Sequence, residues 1–172
     1  MNSDPAWSLR PATPDDLEPV TDLKARVMRA DLERLGRWDP ARSRERVRAS
    51  FSTRYTSVLL VDRAFAGCVT VRPDERGGRH LELFYLAPHL QGRGLGTAVL
   101  RHLLAEADAA GEPFRLVVLR GSAAQRLYER HGFTVVHEDP VDVHLHRPVG
   151  GTGVREAEVR AEVHVGARRL TA

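Results

Sequence analysis

The strongest periodic pattern lies past the middle of the chain. Leu95, Val99, Leu103 and Ala107 recur at helical spacing and Leu100 and Leu104 widen the face. The pattern predicts an amphipathic helix over 95–110, with Gly111 as its stop. Upstream, 7–10 reads as a short strand. Thr13-Pro14-Asp15-Asp16 reads as a helix start, with a capping hydroxyl, a proline in the first turn and two acids at the positive end of the dipole. Leu17, Val20, Leu23 and Val27 continue it at helical spacing. From 26 to 39 the chain turns polar and arginine-rich, which predicts a connecting stretch before a second helix over 40–51. Strands are expected at 57–61 and 65–71, joined by a turn at Asp62-Arg63, and at 80–87. The apolar run 114–119 predicts a strand buried on both faces. A helix over 122–131 capped by Gly132, and strands at 133–136 and 141–145, complete the pattern.

The order is βααβββαβαββ. A strand, loop, helix and strand in succession imply an α/β fold with at least one parallel crossover. From Pro148 the character changes, so 1–148 is expected to be one domain and 149–172 a tail. Gly150-Gly151-Thr152-Gly153 reads as a flexible linker. Val159, Ala161, Val163 and Val165 then alternate with polar residues. That alternation fits a strand added to a sheet edge, here or in a partner chain, and equally a weakly ordered tail.

Bulk properties narrow the classes. The 172 residues suffice for one sizeable core, and 42% hydrophobic with 28% charged residues fits a globular protein. No stretch is long and apolar enough to span a bilayer and the first ten residues lack the apolar core of a signal peptide, so a cytoplasmic protein without a membrane partner is expected. The one cysteine, Cys68, excludes an internal disulfide and reads as a core thiol. Eight scattered histidines without ligand spacing predict no metal. The net charge of +3 rests on arginines spread among 23 acids, which does not suggest a nucleic-acid partner.

Candidate chemistry concentrates where the strand ending at Leu86-Ala87 runs through Pro88-His89-Leu90 into Gln91-Gly92-Arg93-Gly94-Leu95-Gly96-Thr97. Glycines let the backbone approach a bulky anion, and amides at a helix start point at it. The segment reads as a pyrophosphate cradle. A P-loop needs Lys-Ser/Thr after the last glycine, and a dinucleotide fingerprint needs G-x-G-x-x-G. Thr97-Ala98 and the G-x-G-x-G spacing meet neither.

Gln91-Gly92-Arg93-Gly94-Leu95-Gly96 resembles the Q/R-x-x-G-x-G/A loop of the GNAT (GCN5-related N-acetyltransferase) superfamily. Ala124-Gln125-Arg126-Leu127-Tyr128-Glu129-Arg130-His131-Gly132-Phe133 is similar to that family's A-x-x-L-Y-E-x-x-G-F helix. The resemblance spans roughly 7–148. The family often has Asn where this chain has Gly121, which removes one side-chain contact.

The resemblance implies a mixed sheet in which the parallel strands ending at Leu86 and Leu119 splay apart. It implies acetyl-CoA as cosubstrate, with pantetheine pairing to the backbone near Leu86 and Ala87 and the pyrophosphate on Gln91, Gly92, Arg93, Gly94, Leu95, Gly96 and Thr97. It implies Tyr128 as general acid toward the departing thiolate, and a homodimer, since dimers are common in the family. Glu82, flanked by Leu81 and Leu83, is the candidate base; a solvent-facing strand charge is the other reading. His144 and His146 share a face of the last strand, either bordering the acceptor site or lying on the surface. The expected activity is direct acetyl transfer to a primary amine. The alternatives are a non-catalytic acyl-CoA-binding module and a nucleotide-binding protein using the glycine loop. The acceptor site is expected from 28–39 and the last strands, where neither charge sign dominates.

Overall fold

The computed structural model describes residues 6–151; the alternating segment 154–165 lies outside the described residues. The class is mixed α/β, a seven-stranded mixed sheet flanked by helices, in the element order expected. The chain divides into two compact units. One holds the residues up to Pro73 and His80–Leu100, and the other holds Asp74–Arg79 and the residues from Arg101 on.

In the first unit the strand order is β1 (Trp7–Pro11), β2 (Thr56–Val61), β3 (Ala64–Pro73) and β4 (Arg79–Leu86). β1, β2 and β3 pair antiparallel. The two-residue loop joining β2 to β3 places both Asp62 (φ 50°) and Arg63 (φ 67°) in the left-handed region. This backbone matches the sheet twist, and an arginine adopts it at a cost. The ladder slips between Leu59 and Leu60, which pair with Gly67 and Phe65. At Gly67 the neighbouring backbone comes so close that an added Cβ would lie 2.2 Å from the Tyr85 carbonyl oxygen. Only glycine fits there.

Two helices, α1 (Leu17–Arg34) and α2 (Pro40–Ser50), follow β1. Val20 and Val47 from them are fully buried in one cluster with Cys68 and Leu83 of β3 and β4. α1 starts from a short 3-10 turn, Pro14–Asp16. There Asp16 accepts two 2.8 Å hydrogen bonds from the Arg10 guanidinium and one of 2.7 Å from the Thr13 amide. The hydrogen bonds from Arg10 are the main reason its carboxyl is held well below the usual carboxylate range.

α1 continues two turns into the stretch expected to be a connection. Leu32 extends its buried face, and Arg29–Glu33 at 2.7 Å and Asp31–Arg34 at 3.0 Å pair along the solvent face. The helix ends at Gly36, φ 65°, where the Gly36 and Arg37 amides reach the carbonyls of Glu33 and Leu32. Asp39 then caps α2, accepting from the Arg42 amide at 3.0 Å. Lys24, the only lysine, is buried on α1 and donates to the Ser43 carbonyl of α2 at 3.2 Å. Burial, aided by Arg46, brings its pKa down to about 8.

The second unit carries β5 (Phe114–Leu119), β7 (Asp142–Arg147) and β6 (Thr134–Glu138) in that order, all antiparallel. A seven-residue helix, α4 (Ala123–Glu129), lies between β5 and β6 in sequence. Phe133 packs at 5.5 Å from the Tyr128 ring and 6.5 Å from that of Phe114. Arg147, at the end of β7, donates two 2.8 Å bonds to Asp108 of α3 (Leu95–Ala110) and one of 3.0 Å to the His131 carbonyl. Asp108 also accepts from the Gly150 amide at 2.8 Å. Gly150 and Gly151, expected to open a flexible linker, therefore lie in a held 3-10 turn, Val149–Gly151.

Candidate active site

The cradle lies wholly within the first unit, and local backbone chemistry builds it. β4 ends at Leu86, and the Ala87 amide donates to the Ala66 carbonyl at 2.8 Å, tying the strand end to β3. The turn Pro88–Leu90 buries Leu90. Gln91 folds back, its side-chain amide donating to the Leu86 carbonyl at 2.9 Å. Gly92 (φ 70°) and Gly94 (φ 81°) hold left-handed conformations, and a Cβ on either would meet nothing within 4 Å. These glycines are therefore needed for the path of the backbone rather than to relieve crowding.

α3 starts directly after. Its first intrahelical bond runs from the Ala98 amide to the Gly94 carbonyl at 3.0 Å. The amides of Leu95, Gly96 and Thr97 precede that bond and point out of a sixteen-residue helix, whose dipole favours an anion there. Leu95 is buried and anchors the turn, while Gln91, Gly92, Arg93 and Gly94 are exposed. The donor set and the open loop fit a diphosphate.

Glu82 sits one residue before a backbone irregularity that sequence patterning did not show. Leu83 has φ 46°, a left-handed conformation inside a strand, for which a side chain with a Cβ is penalised. The Cys68 thiol donates to the Leu83 carbonyl at 3.1 Å. Burial pushes that thiol up to about 12, so Cys68 is the inert core group expected.

Glu82 itself is only 18% exposed. Its Oε1 accepts from Arg72 of β3 at 2.5 Å and lies 3.6 Å from His80 Nε2. Its Oε2 is buried and has no hydrogen-bond partner among the described residues. The reading of Glu82 as a charge simply facing solvent does not describe a carboxylate so placed.

Tyr128 belongs to the second unit. Ser122 caps its helix by accepting from the Gln125 amide at 3.3 Å, and the Gln125 side chain accepts from the Gly121 amide at 2.9 Å. Gly121 thus contributes through its backbone where it lacks a side chain. Tyr128 is 6% exposed and its ring meets Phe133 edge-on. Burial raises its pKa well above that of a free phenol.

His144 stands opposite His137 with ring centroids 5.3 Å apart, and burial is the main cause lowering its pKa. His146 pairs with Arg115 and Thr134 in the neighbouring strands. Residues 28–39, assigned to the acceptor site, are mostly the last turns of α1. Among the described residues no group of three or more potential ligands could hold a metal, and no helix is long and apolar enough to cross a membrane.

Comparison with known proteins points one way. The family model described as an acetyltransferase (GNAT) domain matches residues 53–135, which include β4, the glycine loop, α3 and α4. No curated protein matches the chain in sequence. Among solved structures, the PaiA N-acetyltransferase of Thermoplasma acidophilum in complex with coenzyme A is similar over 83% of this chain and 99% of its own, with TM-score 0.66 and 16% identity. The ribosomal-protein-S18-alanine N-acetyltransferase of Escherichia coli is similar over 86% and 97%, at 0.63 and 20%. Ard1 of Thermoplasma volcanium is similar over 84% and 98%, at 0.61 and 18%. At these identities the likeness is one of fold.

Proposed function

We propose, from the GNAT acetyltransferase domain that this chain carries, that it transfers the acetyl group of acetyl-CoA directly to a primary amine. The observation that carries this reading is the loop Gln91–Gly94, whose two left-handed glycines open onto the start of α3. Leu95, Gly96 and Thr97 supply amides to the pyrophosphate and Arg93 supplies charge, while the end of β4 at Leu86 and Ala87 receives the pantetheine arm.

In the transfer, the amine nitrogen forms a bond to the thioester carbonyl carbon and the C–S bond breaks. Glu82 takes the amine proton on Oε2, directly or through water. Tyr128 donates a proton to the leaving sulfur and recovers one from solvent. Oε2 of Glu82, buried and without a hydrogen-bond partner among the described residues, supports its role, since it is a polar atom kept for something those residues do not supply. Burial keeps the phenol protonated throughout the neutral range. No covalent acetyl-enzyme is required, and Cys68 is unsuited to form one.

The acceptor is a primary amine of a small molecule, peptide or protein. We place the reaction in the cytoplasm, consistent with a lone cysteine, and take residues 1–148 as the catalytic domain, acting as a homodimer. Gly94→Glu tests the cofactor assignment: a carboxylate in the cradle should abolish acetyl-CoA binding in a folded protein. Calorimetry giving the wild-type affinity would remove the basis of the reading.

A further inference from the structure

We infer that Arg72 is a positioning residue for Glu82: it fixes the carboxylate by one oxygen so that the other alone receives the proton of the acceptor. This rests on the reading of Glu82 as the base. Arg72 lies ten residues before Glu82, on β3, and its Nη2 donates to Oε1 at 2.5 Å. Oε1 is engaged, with His80 Nε2 also nearest to it, while Oε2 is enclosed and has no hydrogen-bond partner among the described residues.

A carboxylate free to rotate would turn either oxygen toward a donor. Anchoring one oxygen removes that freedom and leaves a single accepting direction. The Arg72 side chain is itself partly exposed, so the bond is not explained as the shielding of a buried arginine; the better-buried partner is Glu82. Next to it, Leu83 holds φ 46°, a left-handed conformation inside β4.

A second observation makes Arg72 the holder rather than a participant. Arg72 carries five N–H donors and no acceptor, so it cannot take a proton from an ammonium or amine. Its effect must therefore pass through Glu82. Lysine at this position keeps the charge and N–H donors but loses the planar fork, and glutamine keeps N–H donors without charge.

The test is a double-mutant cycle on thiol release from acetyl-CoA. The acceptor is whichever of an alanine-initiated peptide, a diamine and an amino sugar the wild type consumes fastest. Glu82→Gln should lower kcat roughly 10²-fold and Arg72→Gln about 10-fold, each with little change in KM for acetyl-CoA. Arg72→Lys should recover part of the loss. The double variant should be no slower than Glu82→Gln alone, because an effect passing through Glu82 has nothing left to remove. Thermal melts run alongside report any loss of folding.

Losses that multiply in the double variant, or an Arg72→Gln protein that melts lower yet turns over normally, overturn the positioning role and leave the base intact. A fully active Glu82→Gln protein, or a wild type that acetylates none of the amines, instead sinks the reading of Glu82 as base and the positioning role with it.

Discussion

Asp108→Asn should destabilise the protein while leaving side-chain volume nearly unchanged. In the wild type both carboxylate oxygens accept from Arg147 at 2.8 Å, and Oδ1 also accepts from the Gly150 amide. An asparagine offers one oxygen and turns its own N–H donors toward the guanidinium. Arg147 is 8% exposed and stays charged, so it loses its counter-ion in a nearly dry site. Removing one partner of a buried pair costs about 3–5 kcal/mol. Asp108 is 30% exposed, so water on that side reduces the expected loss to roughly 2–3 kcal/mol. For a chain of this size that is a fall in Tm of roughly 4–12 °C at pH 7.

The pH dependence gives a sharper check. The hydrogen bonds from Arg147 hold the Asp108 carboxyl at about 2, below the ordinary 3.8. A carboxyl depressed in the folded state contributes stability that is complete above its unfolded value and is lost as pH falls through the folded one. The gap between wild type and variant should therefore be constant from pH 7 to 5 and shrink to about half by pH 3. Circular-dichroism melts over that range measure it. A Tm within a degree of wild type at pH 7, or a gap unchanged at pH 3, would refute the clamp.

Lys24→Met should change stability in the opposite pH range. The wild-type ammonium is penalised by burial, with a folded pKa of about 8 against 10.5, so the unfolded chain binds more protons between these values and wild-type stability rises with pH there. Relative to Lys24→Met, the wild type should gain up to roughly 3 kcal/mol from pH 7 to 10.5 in urea titrations, and a flat difference would contradict this. Arg63→Gly should stabilise by about 0.5–1 kcal/mol, because glycine accepts the left-handed turn without a Cβ penalty; a lower urea midpoint would count against the turn assignment. Tyr128→Phe should lower kcat by roughly 10²-fold with acetyl-CoA affinity nearly unchanged, and normal turnover would reduce the residue to packing.

Local patterns made α3 legible. Its apolar residues at 95, 99, 100, 103, 104 and 107 are all buried, because one face of one helix repeats every three or four residues. The glycine loop was legible for a similar reason: left-handed positions at 92 and 94 demand the residue that is written there. The last turns of α1 were not, because Arg29, Asp31, Glu33 and Arg34 stabilise a helix through pairs along a solvated face that looks polar in sequence.

Long-range pairs left no local trace. Asp108 and Arg147 stand 39 residues apart, and nothing in either neighbourhood marks them as partners. Arg72 and Glu82 meet only once β3 and β4 have formed. The left-handed Leu83 breaks the rule by which such a position is read, since a leucine there gives no sign of it. Glu82 could be picked out as an acid among apolar neighbours, but not the fact that one of its oxygens is held and the other has no partner among the described residues.

Acetyl transfer is tested most directly by following acetyl-CoA and a panel of primary amines together in one reaction. CoA thiol is read by a thiol reagent and acetylated amine by mass spectrometry. For at least one amine the two products should appear one for one, and neither should appear with Gly94→Glu. Tight binding of acetyl-CoA with no acetylated amine from any member of the panel would contradict it, leaving a protein that holds the thioester without transferring its acetyl group.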